Sequence, residues 1–235
     1  MPHAWMPGAR RIRAESDGGP LRGGAPRAVW LTLGTAPCAV SIQSAAQRLV
    51  TECRPCHLVW DPITGEIVQL ISILRAGRAL GAPERLDWAP DQVPAAPRNV
   101  NTEGRVCVQI GVPGHPADPF TCGPLAGAAA IVSWLDSWNV PRRWPSGQPA
   151  AYRGPGPGLG AGAGPGADRG RAGAERSRLL WARGGHFGAS QVPGCDNIGP
   201  GAIDVDRLTG PHVLQVHPRE LPTPLAPAAA LPISA

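Results

Sequence analysis

Lysine is absent from this chain: all 22 basic residues are arginine. Read with the load of alanine, glycine and proline, this reflects coding bias and gives no ground for arginine-specific recognition. No apolar run is long enough to cross a membrane, so no membrane span is expected. The first twenty residues lack the apolar centre of a signal peptide. The expected location is therefore the cytoplasm, or the outside after lysis or non-classical export. No G-x-S-x-G occurs, which removes the serine-hydrolase elbow from consideration. Methionine is found only at Met1 and Met6.

What is present is unevenly distributed. There are 31 glycines and 29 prolines in 235 residues, near the level at which low-complexity sequence stays unstructured. The bias is local, so one folded domain with unstructured additions is expected. The formal charge of +5 is modest. Much of it falls at Arg10, Arg11, Arg13, Arg22 and Arg27, in a Gly/Pro context. Such tails can touch nucleic acid or an anionic wall polymer. The plainer expectation is a solvated, disordered basic tail over residues 1–26, with no nucleic-acid partner. Six cysteines are present, and a domain of this size does not need disulfides. Cys107 reads as a small buried hydrophobe, and no pairing is assigned.

The ordered part reads as follows. RAVWLTL, 27–33, suits a buried strand. Ser41 can cap a helix to about Thr51, with Ile42, Ala45, Ala46, Leu49 and Val50 on one face. HLVWD and EIVQLIS, joined by PITG, read as a hairpin over 57–72. Residues 75–98 read as loop with at most one helical turn. RVCVQIGV, 105–112, is apolar on both parities, as in a strand covered on both faces. Pro124 suits the first turn of a helix to about Trp138, with Ala128, Ile131, Leu135 and Trp138 as its stripe. Residues 153–175 are too rich in glycine and proline to bury a core, and read as a flexible insert. IDVDRL, 203–208, reads as a short helix, and 209–235 as a Pro/Ala-rich tail. The order of elements predicts an α/β domain with a mixed central β-sheet flanked by helices.

Several segments, taken together, resemble one family. HLVWDPITGEIVQLI, NTEGRVCVQIGV, WLDSWNVPRRWP, GGHFGASQVPG and GPGAIDV are similar to the type 2 N-acetylmuramoyl-L-alanine amidases, in particular the actinobacterial and actinophage branch. These are zinc amidases related to peptidoglycan recognition proteins and phage endolysins. The resemblance covers about 27–208 outside the insert, and its specificity lies in the order and spacing of the segments. It implies a partner, peptidoglycan or muropeptide fragments, and a zinc ion held by two histidines and a third ligand. Zinc would activate water against the amide between the lactyl group and L-alanine.

The ligand positions implied by the resemblance can be checked in turn. The first histidine, before a threonine, falls on Leu31. The second, in GASQVP, falls on Ala189. The third ligand, before Pro-Gly, falls on Gly199. A glutamate after the central Gln-Ile falls on Gly111. Structural zinc sites gain roughly 10–16 kcal/mol of apparent binding energy, and leucine, alanine and glycine side chains supply no lone pair towards it. The expectation is a domain of this type that is catalytically inactive or impaired, with no cofactor, or zinc only in a relocated site. That relocated site would draw on His186, Cys195, Asp196, Asp204 or His57. Reverting Leu31, Ala189 and Gly199 to ligands is expected to restore zinc affinity if the scaffold is intact. Asn101, Glu103, Arg105, His186 and Gln191 are candidate groove residues, each equally plausible as a structural polar group. An active cell-wall amidase using that relocated zinc site is one alternative reading, and a non-catalytic peptidoglycan-binding or vestigial module is another.

Two further patterns need weighing. CRPCH, Cys53 to His57, matches the haem-attachment motif C-x-x-C-H. His57 starts a strand and no ordered methionine is available as a second ligand, so accident is the better reading. Trp134 and Trp138 stand at helical spacing, which points to packing. Trp144, beside Arg142 and Arg143, is the better candidate for a surface face.

Overall fold

The computed structural model describes residues 2–34, 40–81, 99–154, 171–195 and 197–211. Six strands form one mixed sheet: β1 (Arg10–Arg11), β2 (Arg27–Thr32), β3 (Leu58–Trp60), β4 (Ile67–Gln69), β5 (Cys107–Val112) and β6 (Gly185–Gly188). Their spatial order is β1-β4-β3-β5-β2-β6. Only β3 and β4 run antiparallel, as the two arms of the expected hairpin; the other four pairings are parallel. Every residue of β2 and β5 is buried. That is why both strands read as continuous apolar runs, because helices cover the two faces of a parallel core.

The first face is covered by α1 (Ile42–Thr51). The Ser41 hydroxyl accepts from the Ser44 N–H at 3.1 Å, which caps the helix as expected. Ile42, Ala45, Ala46 and Leu49 are buried against Val29, Leu31, Val59 and Val68. Trp181, from α3 (Arg171–Ala182), completes this layer edge-on to Phe187 at 4.9 Å. Burying such side chains contributes on the order of 1.5–3 kcal/mol each.

The second face packs on α2 (Ala128–Ser137) and α4 (Val205–Thr209). Trp30, Trp60 and Phe120 form its aromatic centre, with Trp30–Trp60 centroids 6.0 Å apart and Trp60–Phe120 5.8 Å apart. Helix α2 starts later than expected, and Pro124 is not in its first turn. The chain instead docks on the hairpin, where the Trp60 indole donates to the Ala126 carbonyl at 2.8 Å. Gly127 then turns with φ of 82° to begin the helix. A Cβ at Gly127 would lie 3.0 Å from the Gly65 carbonyl oxygen, so glycine is required on both grounds. Helix α4 starts on Asp204, whose carboxylate accepts from the Asp206 and Arg207 N–H groups.

The first 26 residues differ most from expectation. Read as a disordered tail, they lie instead along the sheet. β1 pairs with β4, and the chain continues through bridges from Pro20 to Arg75 and from Gly23 to Gly104. Met6 is 3% exposed. The Gln69 amide, buried in β4, accepts from the Met6 N–H and donates to the Ala4 carbonyl. The His3 carbonyl accepts from the Trp134 and Trp138 indoles. Composition misled here because a few well-spaced apolar residues, Ala4, Ala9, Ile12 and Leu21, suffice to anchor a strap that needs no core of its own.

Within the expected insert, residues 171–175 form the start of α3, a departure from the sequence reading. Residues 155–170 lie outside the described residues, as do 82–98 and 212–235, which hold most of the expected loop and nearly all of the Pro/Ala tail. No helix among the described residues is long and apolar enough to cross a membrane.

Candidate functional site

The four positions implied by the resemblance converge at one end of the sheet. Leu31 sits in register with Gly111 across β2–β5. Trp30 pairs with Gly188 on the other side, which brings Ala189, one residue on, alongside Leu31. Ala189 opens a 3-10 turn over Ala189–Gln191. From that turn the Ser190 N–H donates to the Gly199 carbonyl at 2.8 Å. Gly199 in turn lies on Thr32: a Cβ there would collide with the Thr32 hydroxyl and stand 3.0 Å from the Thr32 nitrogen.

The residues at this place do not fit a zinc ion. Leu31 and Ala189 are buried in the α1-side apolar layer with Cys56 and Val192. Gly111 and Gly199 contribute no side chain. The nearest sulfur is Cys56, 3.2 Å from where a Gly111 Cβ would be. Burial pushes the Cys56 thiol up to about 12, and it donates to the Leu58 carbonyl at 3.0 Å. One thiol, with no histidine or carboxylate beside it, does not make the three-ligand set a zinc ion needs. Among the described residues no three His, Cys, Asp or Glu side chains come together as a metal-binding group.

The members of the relocated set are spread apart. His186, on β6, turns to the opposite face of the sheet from Leu31 and Ala189. Its Nδ1 accepts from the Trp30 indole at 3.0 Å, and its ring stacks on Trp30 at 6.0 Å and meets Trp144 at 5.6 Å. Burial pulls its pKa down to about 3, and its Nε2 has no hydrogen-bond partner among the described residues. His57 accepts from the Gln109 N–H through Nδ1 and donates through Nε2 to the Arg75 carbonyl. Burial lowers its pKa to about 4. Both ring nitrogens are spent, so His57 offers no axial ligand to the C-x-x-C-H motif. Asp204 caps α4, Cys195 packs half-buried on the α1 side, and Asp196 lies outside the described residues.

The five groove candidates do not line one groove. Asn101, Glu103 and Arg105 precede β5, whereas Gly111 is near its far end. At about 3.3 Å per residue, Glu103 and Gly111 are separated by most of the sheet's depth. The Asn101 amide joins Gln109, Leu80, Gly81 and Asn99 in a buried network. The Glu103 carboxylate accepts from Arg178 at 3.0 Å and from the Trp181 indole at 2.7 Å. Arg105 is exposed and donates to the Trp138 carbonyl. Gln191 accepts from the Gly188 N–H and donates to the Gly147 carbonyl, both at 2.9 Å, pinning the loop before the insert. With His186 buried, each of the five has an evident structural task.

Trp144 is half-buried and hydrogen-bonds Thr209 through its indole, so it is not a free surface face. Trp134 is buried, as helical spacing indicated. Sequence reasoning missed Thr32, whose hydroxyl stands where a side chain at position 199 would begin. No pattern along the chain carries that signal, because the contact joins residues 167 positions apart in number (32 and 199). The exposed His115 and the half-buried Tyr152 form an edge-to-face pair at 5.1 Å.

No family model matches the chain, and no curated protein does. Solved structures similar to it include the endolysin N-acetylmuramoyl-L-alanine amidase LysCS of Clostridium intestinale URNW, at 14% identity and a TM-score of 0.36, covering 58% of this chain and 79% of that one. The Staphylococcus aureus hydrolase AmiA, solved in complex with its ligand, is similar at 12% identity and a TM-score of 0.37. That match covers 64% of this chain and 63% of AmiA. The N-acetylmuramoyl-L-alanine amidase LysC of C. intestinale URNW is similar at 13% identity and a TM-score of 0.34, covering 55% and 77%.

Proposed function

We propose that this chain is an amidase-type domain that has lost zinc-dependent hydrolysis and serves as a peptidoglycan- or muropeptide-binding module, or persists as a vestige of one. One observation carries the reading: positions picked from sequence alone, Leu31, Gly111, Ala189 and Gly199, lie side by side at the ends of β2, β5 and β6. Chance matches in four separate segments would not be expected to meet there. At those four positions the side chains are apolar or absent, and a cation gains nothing from them.

The test uses purified peptidoglycan and the full chain. Elemental analysis is expected to find no stoichiometric zinc, and incubation with wall to release no soluble peptide. Co-sedimentation with wall separates a binding module from a vestige. About one zinc per chain with chelator-sensitive peptide release would overturn the proposal and establish a relocated metal site.

A further inference from the structure

The N-terminal strap carries charges of both signs, and its ordering fixes where they stand. Between the strap and the segment after β4 lies a groove of about 470 Å³, within the size range of small-ligand sites. Its charged lining is balanced: Arg13 and Arg75 are matched by Glu15 and Asp17. A ligand of one sign therefore meets as much repulsion as attraction there.

The four charges are not equivalent. Asp17 and Arg75 satisfy each other, the carboxylate accepting from the Arg75 Nε and Nη2 at 2.9 Å each and from the Gly19 N–H at 2.8 Å. Hydrogen bonding to Arg75 holds the Asp17 carboxyl below its usual range. Arg13 and Glu15 are exposed, and neither has an ion-pair or side-chain hydrogen-bond partner among the described residues. Their backbone is held, because the Ile12 and Ala14 N–H groups donate to the Gln69 and Leu70 carbonyls at 3.1 and 3.0 Å. Burial alternates along this stretch, with Ile12 and Ala14 half-buried and Arg13 and Glu15 outward. Side chains two apart in such a segment share a side, with α-carbons about 7 Å apart. The Ser72 hydroxyl also lines the groove. It accepts from the Leu74 N–H at 3.3 Å, which leaves its own proton to donate.

We propose that this groove binds a short peptide with both ends free, its terminal carboxylate on the Arg13 guanidinium and its ammonium on the Glu15 carboxylate. A guanidinium fork matches a carboxylate, and an ammonium brings three donors to an acceptor-only group. The α-carbons of a dipeptide are about 3.8 Å apart, so its two charged ends fit between side chains of that spacing. The Asp17–Arg75 pair walls the groove without competing for either end. The inference is independent of the wall-binding reading, because β1 is the sheet edge opposite β6.

The test is an amide chemical-shift titration of the full chain with the dipeptide Ala-Ala, its N-acetyl form and its C-terminal amide. Ala-Ala is expected to give saturable shifts centred on residues 13–17 and 72–75. Blocking either end should weaken binding about two- to fivefold, the worth of an exposed ion pair. Glu15→Gln should lower the affinity for Ala-Ala to that of the N-acetyl form and leave the N-acetyl form unchanged. Arg13→Gln should do the same for the amide. Exchanging the two charges, Arg13→Glu with Glu15→Arg, should restore Ala-Ala binding, and thermal melts confirm that each variant keeps the strap docked. No saturable shift with Ala-Ala overturns the proposal, as do blocked forms that bind as tightly as the free dipeptide. Shifts confined to the ends of β2, β5 and β6 would also overturn it, while leaving the wall-binding reading standing.

Discussion

Replacing Leu31 with His, Ala189 with His and Gly199 with Asp would supply the ligand types that the resemblance implies, yet the surroundings oppose all three. Leu31 is 2% exposed, so losing its side chain from the apolar layer costs roughly 1.5–3 kcal/mol. An imidazole left there without a partner adds about 1–3 kcal/mol. Ala189 is fully buried, and overpacking at such a place costs roughly 1–3 kcal/mol. At Gly199 the main obstacle is the Thr32 hydroxyl, with which a new Cβ would collide, while the Thr32 nitrogen at 3.0 Å is a tight but lesser contact. Together these penalties amount to roughly 5–10 kcal/mol, comparable with the whole stability of a domain. Zinc could repay them, at about 10–16 kcal/mol, only if its ligands reached ideal geometry. The expected result is that the triple variant is poorly folded without metal and takes up well under one zinc per chain. Adding Thr32→Ala, which removes the hydroxyl, should raise zinc uptake towards one and make folding zinc-dependent. Elemental analysis with far-UV circular dichroism, with and without zinc, reads both quantities. Stoichiometric zinc in the triple variant at parental stability would refute the claim that Thr32 closes the site. A natively folded quadruple variant that ignores zinc would refute the ligand assignment itself.

Two other consequences concern stability. His57 and His186 are held near pKa values of about 4 and 3 by burial, against about 6.5 in an unfolded chain. Above pH 6.5 both states are neutral and stability is full. As pH falls below that value the unfolded chain takes up protons that the folded one refuses, so stability drops until about pH 3–4. At 1.36 kcal/mol per unit the loss is roughly 3–5 kcal/mol for each histidine. A urea midpoint unchanged between pH 7 and about pH 4.5 would contradict this. Separately, removing residues 1–19 strips Met6 from the core and exposes the β4 edge, the Gln69 amide and the Trp134 indole. A lower melting temperature, a red-shifted tryptophan emission and self-association are expected by calorimetry, fluorescence and light scattering; melting unchanged from the full chain would show that the strap carries no stability.

Much of the sheet was legible because its strands are buried on both faces. Val29, Trp30 and Leu31, or Val108 to Val112, leave few alternatives to a central strand. Ser41 likewise marked its helix through capping chemistry that acts within three residues. The N-terminal strap was not legible, because what orders it is remote: the Gln69 amide and two indoles from α2 supply its hydrogen-bond partners. The candidate site divides along the same line. That Leu31, Ala189 and Gly199 should adjoin followed from segment order, since parallel strands joined by helices bring their ends to one side of a sheet. That Asn101, Glu103 and Gln191 would be consumed by Gln109, Arg178 and the Gly188 N–H did not follow, for polar side chains look alike in sequence whether they face substrate or satisfy a loop. Nor did the closure by Thr32. A missing ligand is visible as a letter, whereas the space it leaves, or fails to leave, belongs to its neighbours. The chemistry of loss could be read from three residues, and its reversibility depends on a fourth.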